Sequence, residues 1–341
     1  MTYEVHLKGT PCSPYTRKML AYLRYRRIPY KYLMGTAADI AGMPKPKVEL
    51  LPTFYLPNAQ GQIEAVTDST PLIRRFERDF PTRAAIPSHP VLRFIDSLLE
   101  DYADEWLSKA MFHYRWHYPQ DVANAGQFVM LQWLQVAVSD ETLAPYSSQF
   151  SARQVGRLGL VGSNPTTLPE IEAGYVRLLH LLDRHFQCHP FLMGKRPGSS
   201  DFALFGQLSQ MAQLDQSAVR IMVRTSPRVF SWVHMMDDLS GWEPQDDDWL
   251  GVEHLPETLG DLLRELARGY LPVMRANAQA LLSGTKEFTT TVDGKPWSQQ
   301  SVPYQGKCLR WLREEFDALG SDDKTLATFI LNQHDCIDLV Q

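Results

Sequence analysis

The chain has 341 residues, of which 44% are hydrophobic and 21% charged, and its formal net charge is −5 at pH 7. These values are typical of a globular protein, and the length predicts two domains with an appendage. Nucleic-acid-binding proteins usually carry a basic surplus, so the negative charge disfavours that class of partner. The four cysteines suggest neither a disulfide framework nor a zinc site, and no apolar run reaches the length of a membrane span. We therefore expect a cytoplasmic protein with free thiols and no membrane or nucleic-acid partner.

Residues 1–80 predict a small α/β domain. Alternation of apolar and polar residues, with intervening turn residues, predicts four strands, at residues 3–8, 30–34, 53–56 and 63–66. Helical patterns predict helices at residues 15–26 and 68–80, with at most a short helix within residues 36–47. The predicted order is β-α-β-(short α)-β-β-α.

The chain changes character after residue 80. Residues 81–90 contain three prolines and are predicted to be a linker. Residues 91–242 predict an all-helical domain, with helices at residues 91–117, 120–138, 169–187, 200–214 and 227–238.

Residues 243–341 form a C-terminal extension that we expect to pack on the helical domain. Its helical region at residues 259–282 contains Pro272, which predicts a kink or a break into two helices. Asp293 and Gly294 form a pair typical of hairpin turns, so a β-hairpin is predicted around them. A further helix is predicted at residues 309–319.

The sequence PCSPYTRK at residues 11–18 lies between a predicted strand and a predicted helix. Ser13 is a good N-cap residue, and Pro14 suits the first position of a helix. A helix N-terminus presents free N–H groups and the positive end of the helix dipole, and both lower the pKa of a nearby thiol. The helix therefore acts either on a bound thiol or on Cys12 itself.

Three segments together resemble the glutathione transferase family. They are the sequence around Ser13, the sequence LLPTF at residues 50–54, and Asp68 followed by Ser69. They occur in the order, spacing and element positions of that family. The resemblance implies a thioredoxin-like, glutathione-binding domain at residues 1–80, a helical domain after it, glutathione as co-substrate, and a homodimer.

The resemblance also implies roles for individual residues. Ser13 matches the hydroxyl that activates the glutathione sulfur. Pro52 matches a cis-proline, and Leu51 before it supplies backbone groups to the cysteinyl unit. Asp68 and Ser69 match the pair that holds the γ-glutamyl group. A helix start with free N–H groups suits that carboxylate, and an aspartate suits an ammonium group.

Ser13 and Cys12 are alternative candidates for the catalytic residue. Alignment of Ser13-Pro14-Tyr15 with the Cys-Pro-Tyr of omega-type transferases and glutaredoxins favours Ser13, with Cys12 one residue early. A hydroxyl at residue 13 stabilises the glutathione thiolate by donating a hydrogen bond. A nucleophilic Cys12 instead implies thiol–disulfide exchange through a covalent intermediate.

In the helical domain, residues 191–202 resemble the start of the family's core helix. Gly198 stands where the family has a Ser or Thr cap, and Asp201 is expected to be structural.

The helix after the linker lines the electrophile pocket in the family. This makes Tyr114, Arg115 and Trp116 candidate pocket residues, with core packing as the alternative. His113 and His117 share a helix face, but no third ligand accompanies them, so no metal site is expected.

Three functions are consistent with the sequence. The first is a glutathione transferase that conjugates glutathione to an unidentified electrophile near Ser13. The second is a glutathione-dependent thiol transferase that uses Cys12. The third is a non-catalytic binding protein of the same fold, because a fold does not determine function and the extension at residues 243–341 departs from the family.

Overall fold

The computed structural model describes residues 3–36 and 40–341, and its N-terminal part is a four-stranded sheet with two helices. The strands are β1 (Val5–Gly9), β2 (Tyr30–Met34), β3 (Thr53–Pro57) and β4 (Ile63–Val66), and the helices are α1 (Pro14–Arg26) and α2 (Ser69–Asp79). The strand order is β2-β1-β3-β4, with β2 parallel to β1 and the other pairs antiparallel. This confirms the predicted α/β, thioredoxin-like fold. The short helix predicted within residues 36–47 falls partly on residues 37–39, which lie outside the described residues.

We call the sheet with α1 and α2 the sheet domain. Its core contains Val5 and Leu7 of β1 and Phe54 of β3, all 0% exposed. Helix α1 is buried on most of its surface because it lies between the sheet and the helical part of the chain. The start of α1 is therefore fixed from both sides.

The middle of the chain is helical, as predicted. Its helices are α3 (Pro90–Tyr102), α4 (Ser108–Trp116), α5 (Pro119–Trp133), α6 (Asp140–Val155), α7 (Leu168–His185), α8 (Ser199–Gln213), α9 (Gln216–Thr225) and α10 (Pro227–Met236). A π-helical turn, Ala103–Leu107, joins α3 to α4, so the helix predicted at residues 91–117 changes its winding in the middle. Helices α6 and α9 were not predicted from the sequence. Helix α6 buries only Leu143 and Ser147, so its apolar pattern is weak.

The C-terminal extension contains α11 (Glu257–Ser283), β5 (Glu287–Val292), β6 (Lys295–Gln300), α12 (Pro303–Asp317) and α13 (Ser321–Gln333). The predicted hairpin is confirmed, with Asp293 and Gly294 in its turn. Of the two alternatives predicted at Pro272, a kink or a break, the break was wrong, because α11 continues through the proline. Buried residues on both sides, Tyr270 and Val273 among them, hold the helix together against the cost of about 3 kcal/mol that an internal proline carries. Helix α11 packs against α7, and α12 and α13 pack against α3.

Within residues 3–36 and 40–341, none of the helices combines the length and the hydrophobicity that crossing a membrane requires.

The N-terminus of α8 is capped by Asp96, which belongs to α3. The Asp96 carboxylate accepts hydrogen bonds from the N–H and hydroxyl groups of both Ser199 and Ser200. A Cβ atom added to Gly198 would lie 2.3 Å from Asp96 Oδ1, so this carboxylate fills the space of a cap side chain. Asp201 accepts the N–H groups of Gly198 and Leu192. The departure at Gly198 is thus explained by a cap supplied from another helix.

We expect Asp96→Ala to lower the free energy of unfolding by about 3 kcal/mol, because it leaves buried donors of two serines without an acceptor. Urea denaturation followed by circular dichroism measures this change. Asp322→Ala, in the exposed first turn of α13, is the control, with an expected loss of at most about 1 kcal/mol. Equal losses in the two variants would contradict the capping role of Asp96.

Candidate functional site

A cavity of about 830 Å³ lies where the sheet domain, the α3–α4 helical segment and the C-terminal extension meet. The sheet domain contributes Tyr15, Lys47, Val48, Leu50, Leu51, Pro52, Thr67, Asp68, Ser69 and Pro71 to its wall. The helical part contributes Asp104, Glu105, Ser108, Lys109, Met111, Phe112, Leu160 and Val161, and the extension contributes Val302, Tyr304, Gln305 and Lys307. Four residues singled out from the sequence, Leu51, Pro52, Asp68 and Ser69, are therefore brought together at one site.

The start of α1 lies next to this wall. Ser13 is the N-cap of α1, and its Oγ accepts the Thr16 N–H at 3.3 Å. The same Oγ lies 3.5 Å from the carbonyl oxygen of Leu51, to which it donates only a long hydrogen bond. The Leu51–Pro52 peptide bond is cis. Ser13 is half-buried and touches a cavity residue without lining the cavity itself.

The side chain of Cys12 does not line the cavity. Its side chain is 4% exposed and packs in a separate apolar cluster with Val129, Met130 and Leu143. Its N–H donates to Gln132 Oε1 at 2.8 Å, and its carbonyl accepts from Arg115 at 2.9 Å. Burial raises the pKa of the Cys12 thiol to about 12, so the thiol is neutral at physiological pH. This placement counts against Cys12 as a nucleophile.

Asp68 and Ser69 stand at the start of α2. The backbone of Asp68 has φ 87°, a conformation that residues other than glycine adopt rarely and that often marks a functional position. Its carboxylate accepts a hydrogen bond from the Tyr304 hydroxyl at 2.9 Å, and Lys307 Nζ lies 3.6 Å away. Helix α12 of the extension therefore reaches across to the N-terminus of α2.

Ser69 is hydrogen-bonded to a buried ionic network. Lys18 Nζ lies 3.1 Å from Ser69 Oγ, 2.8 Å from Glu100 Oε1 and 2.6 Å from Asp104 Oδ2. Burial alone would lower the pKa of Lys18, but Asp104 and Glu100 raise it above its ordinary value. Burial also opposes the ionisation of Glu100, but Lys18 and Arg74 lower its pKa to about 2.

The sequence reading missed these network residues. On the helix predicted at residues 91–117, Glu100 and Asp104 lie on the side opposite the apolar positions, so the sequence pattern predicts a solvent-exposed face for them. Their burial depends on a distant segment, because Lys18 of α1 packs against both carboxylates.

The three candidate pocket residues of α4 do not line the cavity, and this corrects the prediction. Arg115 Nε pairs with Asp215 Oδ1 at 2.8 Å. Tyr114 packs against Tyr175, with ring centroids 5.2 Å apart. All three side chains are almost completely buried, as the alternative of core packing implied: Tyr114 1%, Arg115 4% and Trp116 3% exposed.

The α4 wall of the cavity comes from residues one turn earlier. Glu105, Ser108 and Phe112 are spaced by three and four residues and form one helix face, with Lys109 and Met111 beside it. The residues of α4 that follow Phe112 do not line the cavity and are buried in the protein interior.

The paired histidines are also accounted for by packing. His113 is fully buried, and its ring nitrogens lie 2.9 Å from Ser163 Oγ and 3.2 Å from Glu172 Oε1. Over the two described ranges of the chain, no group of three or more His, Cys, Asp or Glu side chains is arranged to hold a metal ion.

Comparison with known protein families finds a match in the sheet domain. Residues 7–84 match the model of the glutathione S-transferase N-terminal domain. A search of curated proteins finds no match to the chain.

Solved structures of similar fold have low sequence identity to this chain. A GST-like protein from Pseudomonas syringae is 15% identical over 69% of this chain and 67% of its own, with a TM-score of 0.42. A Tau class glutathione S-transferase from mango, Mangifera indica, is 15% identical over 75% of this chain and 97% of its own, with a TM-score of 0.42. A glutathione transferase family member from Pseudomonas fluorescens, solved with two glutathione bound, is 14% identical over 69% of this chain and 92% of its own, with a TM-score of 0.39.

Proposed function

We propose that the protein binds glutathione in the cavity and transfers it to an electrophile, because residues 7–84 match the model of the glutathione S-transferase N-terminal domain. One observation carries the proposal. Leu51, Pro52, Asp68 and Ser69 line a single cavity beside the start of α1, and the same cavity has a large apolar wall. A peptide thiol and an apolar co-substrate therefore have room side by side.

Each part of glutathione has a chemically suitable neighbour. The α-carboxylate of the γ-glutamyl unit accepts hydrogen bonds from Ser69 and from the free N–H groups of α2, where the helix dipole also favours an anion. The ammonium group pairs with Asp68. Because Lys307 lies 3.6 Å from that carboxylate, the ammonium group either joins Lys307 there or displaces it. Backbone groups of Leu51 hold the cysteinyl unit.

The chemistry proposed is attack by the glutathione thiolate on an electrophilic atom. Ser13 stabilises the thiolate by turning its weakly bonded hydroxyl from Leu51 to the sulfur, and the N-terminus of α1 adds its positive dipole end. The sulfur forms a bond to the electrophilic atom, and the leaving group departs with its bonding electron pair. Catalysis then comes from a lowered thiol pKa and from holding both reactants in place.

Glutathione titration by calorimetry tests this proposal. We expect wild type to bind glutathione, and an Asp68→Ala, Ser69→Ala double variant to lose at least about tenfold in affinity, because it removes a charged and a neutral partner of the ligand. Ser139→Ala, Asp140→Ala at the start of α6 is the matched control, with unchanged affinity expected. Absence of glutathione binding in wild type would refute the proposed function.

A non-catalytic binding protein is the second candidate, and one observation favours it. Tyr304 and Lys307 already contact Asp68, so the site is partly filled by the chain's own extension. This candidate gains if wild type binds no glutathione.

Thiol transfer by Cys12 has lost support because that thiol is buried and neutral. The homodimer and the cytoplasmic location stay predictions, and light scattering in solution tests the first.

A further inference from the structure

We propose that Lys109, which lines the cavity and contacts Gln299 of β6, forms a subsite there for the carboxylate of an otherwise apolar ligand. The claim that this ligand is the electrophilic co-substrate rests on the proposed function. The claim that the cavity binds an apolar carboxylic acid does not depend on the proposed function.

Lys109 is a buried cation with neutral partners. It is 3% exposed, yet it lines the cavity. Its Nζ donates to the Val161 carbonyl at 3.2 Å and to Gln299 Oε1 at 3.0 Å. Among the residues that the structure describes, no carboxylate oxygen lies within 4.0 Å of this nitrogen. An ammonium group has three donors, so one remains for a ligand. Buried charges are normally paired, and an anion from outside would complete this one.

The other charged groups near the inner part of the cavity have partners of their own. Asp104 pairs with Lys18, and Asp68 lies beside Lys307. Glu105 is one turn before Lys109, and burial and its acidic neighbours raise the pKa of Glu105, which opposes its ionisation. Burial lowers the pKa of Lys109 to about 8, and Glu105 acts in the opposite direction. In the described part of the chain, Lys109 therefore lines the cavity without a carboxylate within 4.0 Å of its nitrogen.

The surroundings of Lys109 also contain an unused polar atom. Gln299 Nε2 is buried and has no hydrogen-bond partner in the structure. Gln299 approaches Lys109 closely because Gly162 leaves room for it: a Cβ atom there would lie 2.4 Å from Gln299 Oε1. An unpaired amide N–H beside an ammonium group suits a carboxylate, which has two acceptor oxygens.

The other residues of the cavity wall indicate the chemical character of the rest of the ligand. Met111, Phe112 and Leu160 face this part of the cavity, and Val48 and Leu50 stand exposed at its rim. An apolar wall with one buried cation fits a molecule that has an apolar body and one carboxylate group.

The test compares 4-phenylbutyrate with its neutral analogue 4-phenyl-1-butanol, titrated by calorimetry into the full chain without glutathione. We expect wild type to bind the acid about tenfold more tightly than the alcohol, since a hydrogen bond to a charged group is stronger than one to a neutral group. Lys109→Met should remove this preference by weakening the acid about tenfold and leaving the alcohol unchanged. Lys47→Met, which removes an exposed lysine at the cavity rim, is the matched control and should keep the preference.

Three results would overturn the subsite: equal affinities of wild type for acid and alcohol, a preference that survives in Lys109→Met, or one that is lost equally in Lys47→Met. The first needs no variant and holds even if Lys109→Met fails to fold. A protein that binds the acid through Lys109 but binds no glutathione would keep the subsite and refute the proposed function, so the two failures are distinguishable.

Discussion

Ser13→Ala is expected to raise the pKa of the bound glutathione thiol by about one unit or more and to slow conjugation on the order of 10²-fold. The Ser13 hydroxyl sits at the start of α1, and its proton makes only a long contact, 3.5 Å, to the Leu51 carbonyl. That proton is therefore free to stabilise a thiolate. The ultraviolet absorbance of the thiolate, followed against pH with glutathione at saturation, reports the thiol pKa without any knowledge of the electrophile.

The same serine also caps α1, so a stability effect must be separated from a chemical one. Losing an N-cap costs about 1 kcal/mol. Ser139→Ala removes the corresponding cap of α6 and should cost as much without moving the thiol pKa. Cys12→Ser should also leave the thiol pKa unchanged, because Cys12 packs away from the cavity. An unaltered thiol pKa in Ser13→Ala would remove the role assigned to that hydroxyl.

The parts of the site that follow from the sequence are those fixed by local structure. Ser13 and Asp68 each precede a helix, and Leu51 and Pro52 precede a strand. The element order specifies the strand order of the sheet, and in that sheet the starts of α1, α2 and β3 lie close together. Local patterns therefore predicted the α/β fold, and the resemblance to the glutathione transferase family added Leu51, Pro52, Asp68 and Ser69 of the cavity wall.

The rest of the site depends on contacts between distant segments. Tyr304 is 236 residues from Asp68, and no periodicity links the two. The wall formed by α4 was assigned one turn too late, because a regular helical pattern gives no information on where a helix leaves a cavity. The π-helical turn before α4 also changes which side chains share a face. From the sequence, Gly198 is a weak N-cap for α8. The side chain that caps α8 in the structure is Asp96, which lies on α3.

Lys18→Met is expected to lower the free energy of unfolding by about 3–5 kcal/mol at pH 8. Lys18 is 0% exposed and is paired with Glu100 and Asp104. Methionine keeps much of the side-chain volume, so the loss comes from two buried carboxylates that no longer have this cation. Chemical denaturation measures the change. Lys286→Met, at an exposed position between α11 and β5, is the control and should change stability by less than about 0.5 kcal/mol.

The pH dependence distinguishes lost charge pairing from lost packing. In wild type the pKa of Glu100 is about 2, below its ordinary value, so its contribution to stability is present at neutral pH and is lost only in strong acid. Burial raises the pKa of Asp104 to about 6 even with Lys18 in place. Without Lys18 that pKa rises further and the depression of the Glu100 pKa is reduced. The folded variant then holds protons that the unfolded chain releases, and its stability falls as pH rises. The difference between wild type and Lys18→Met should therefore be smaller at pH 5 than at pH 8. A difference that is the same at both pH values would show that Lys18 acts through packing alone and that the ionic network does not hold Ser69 in place.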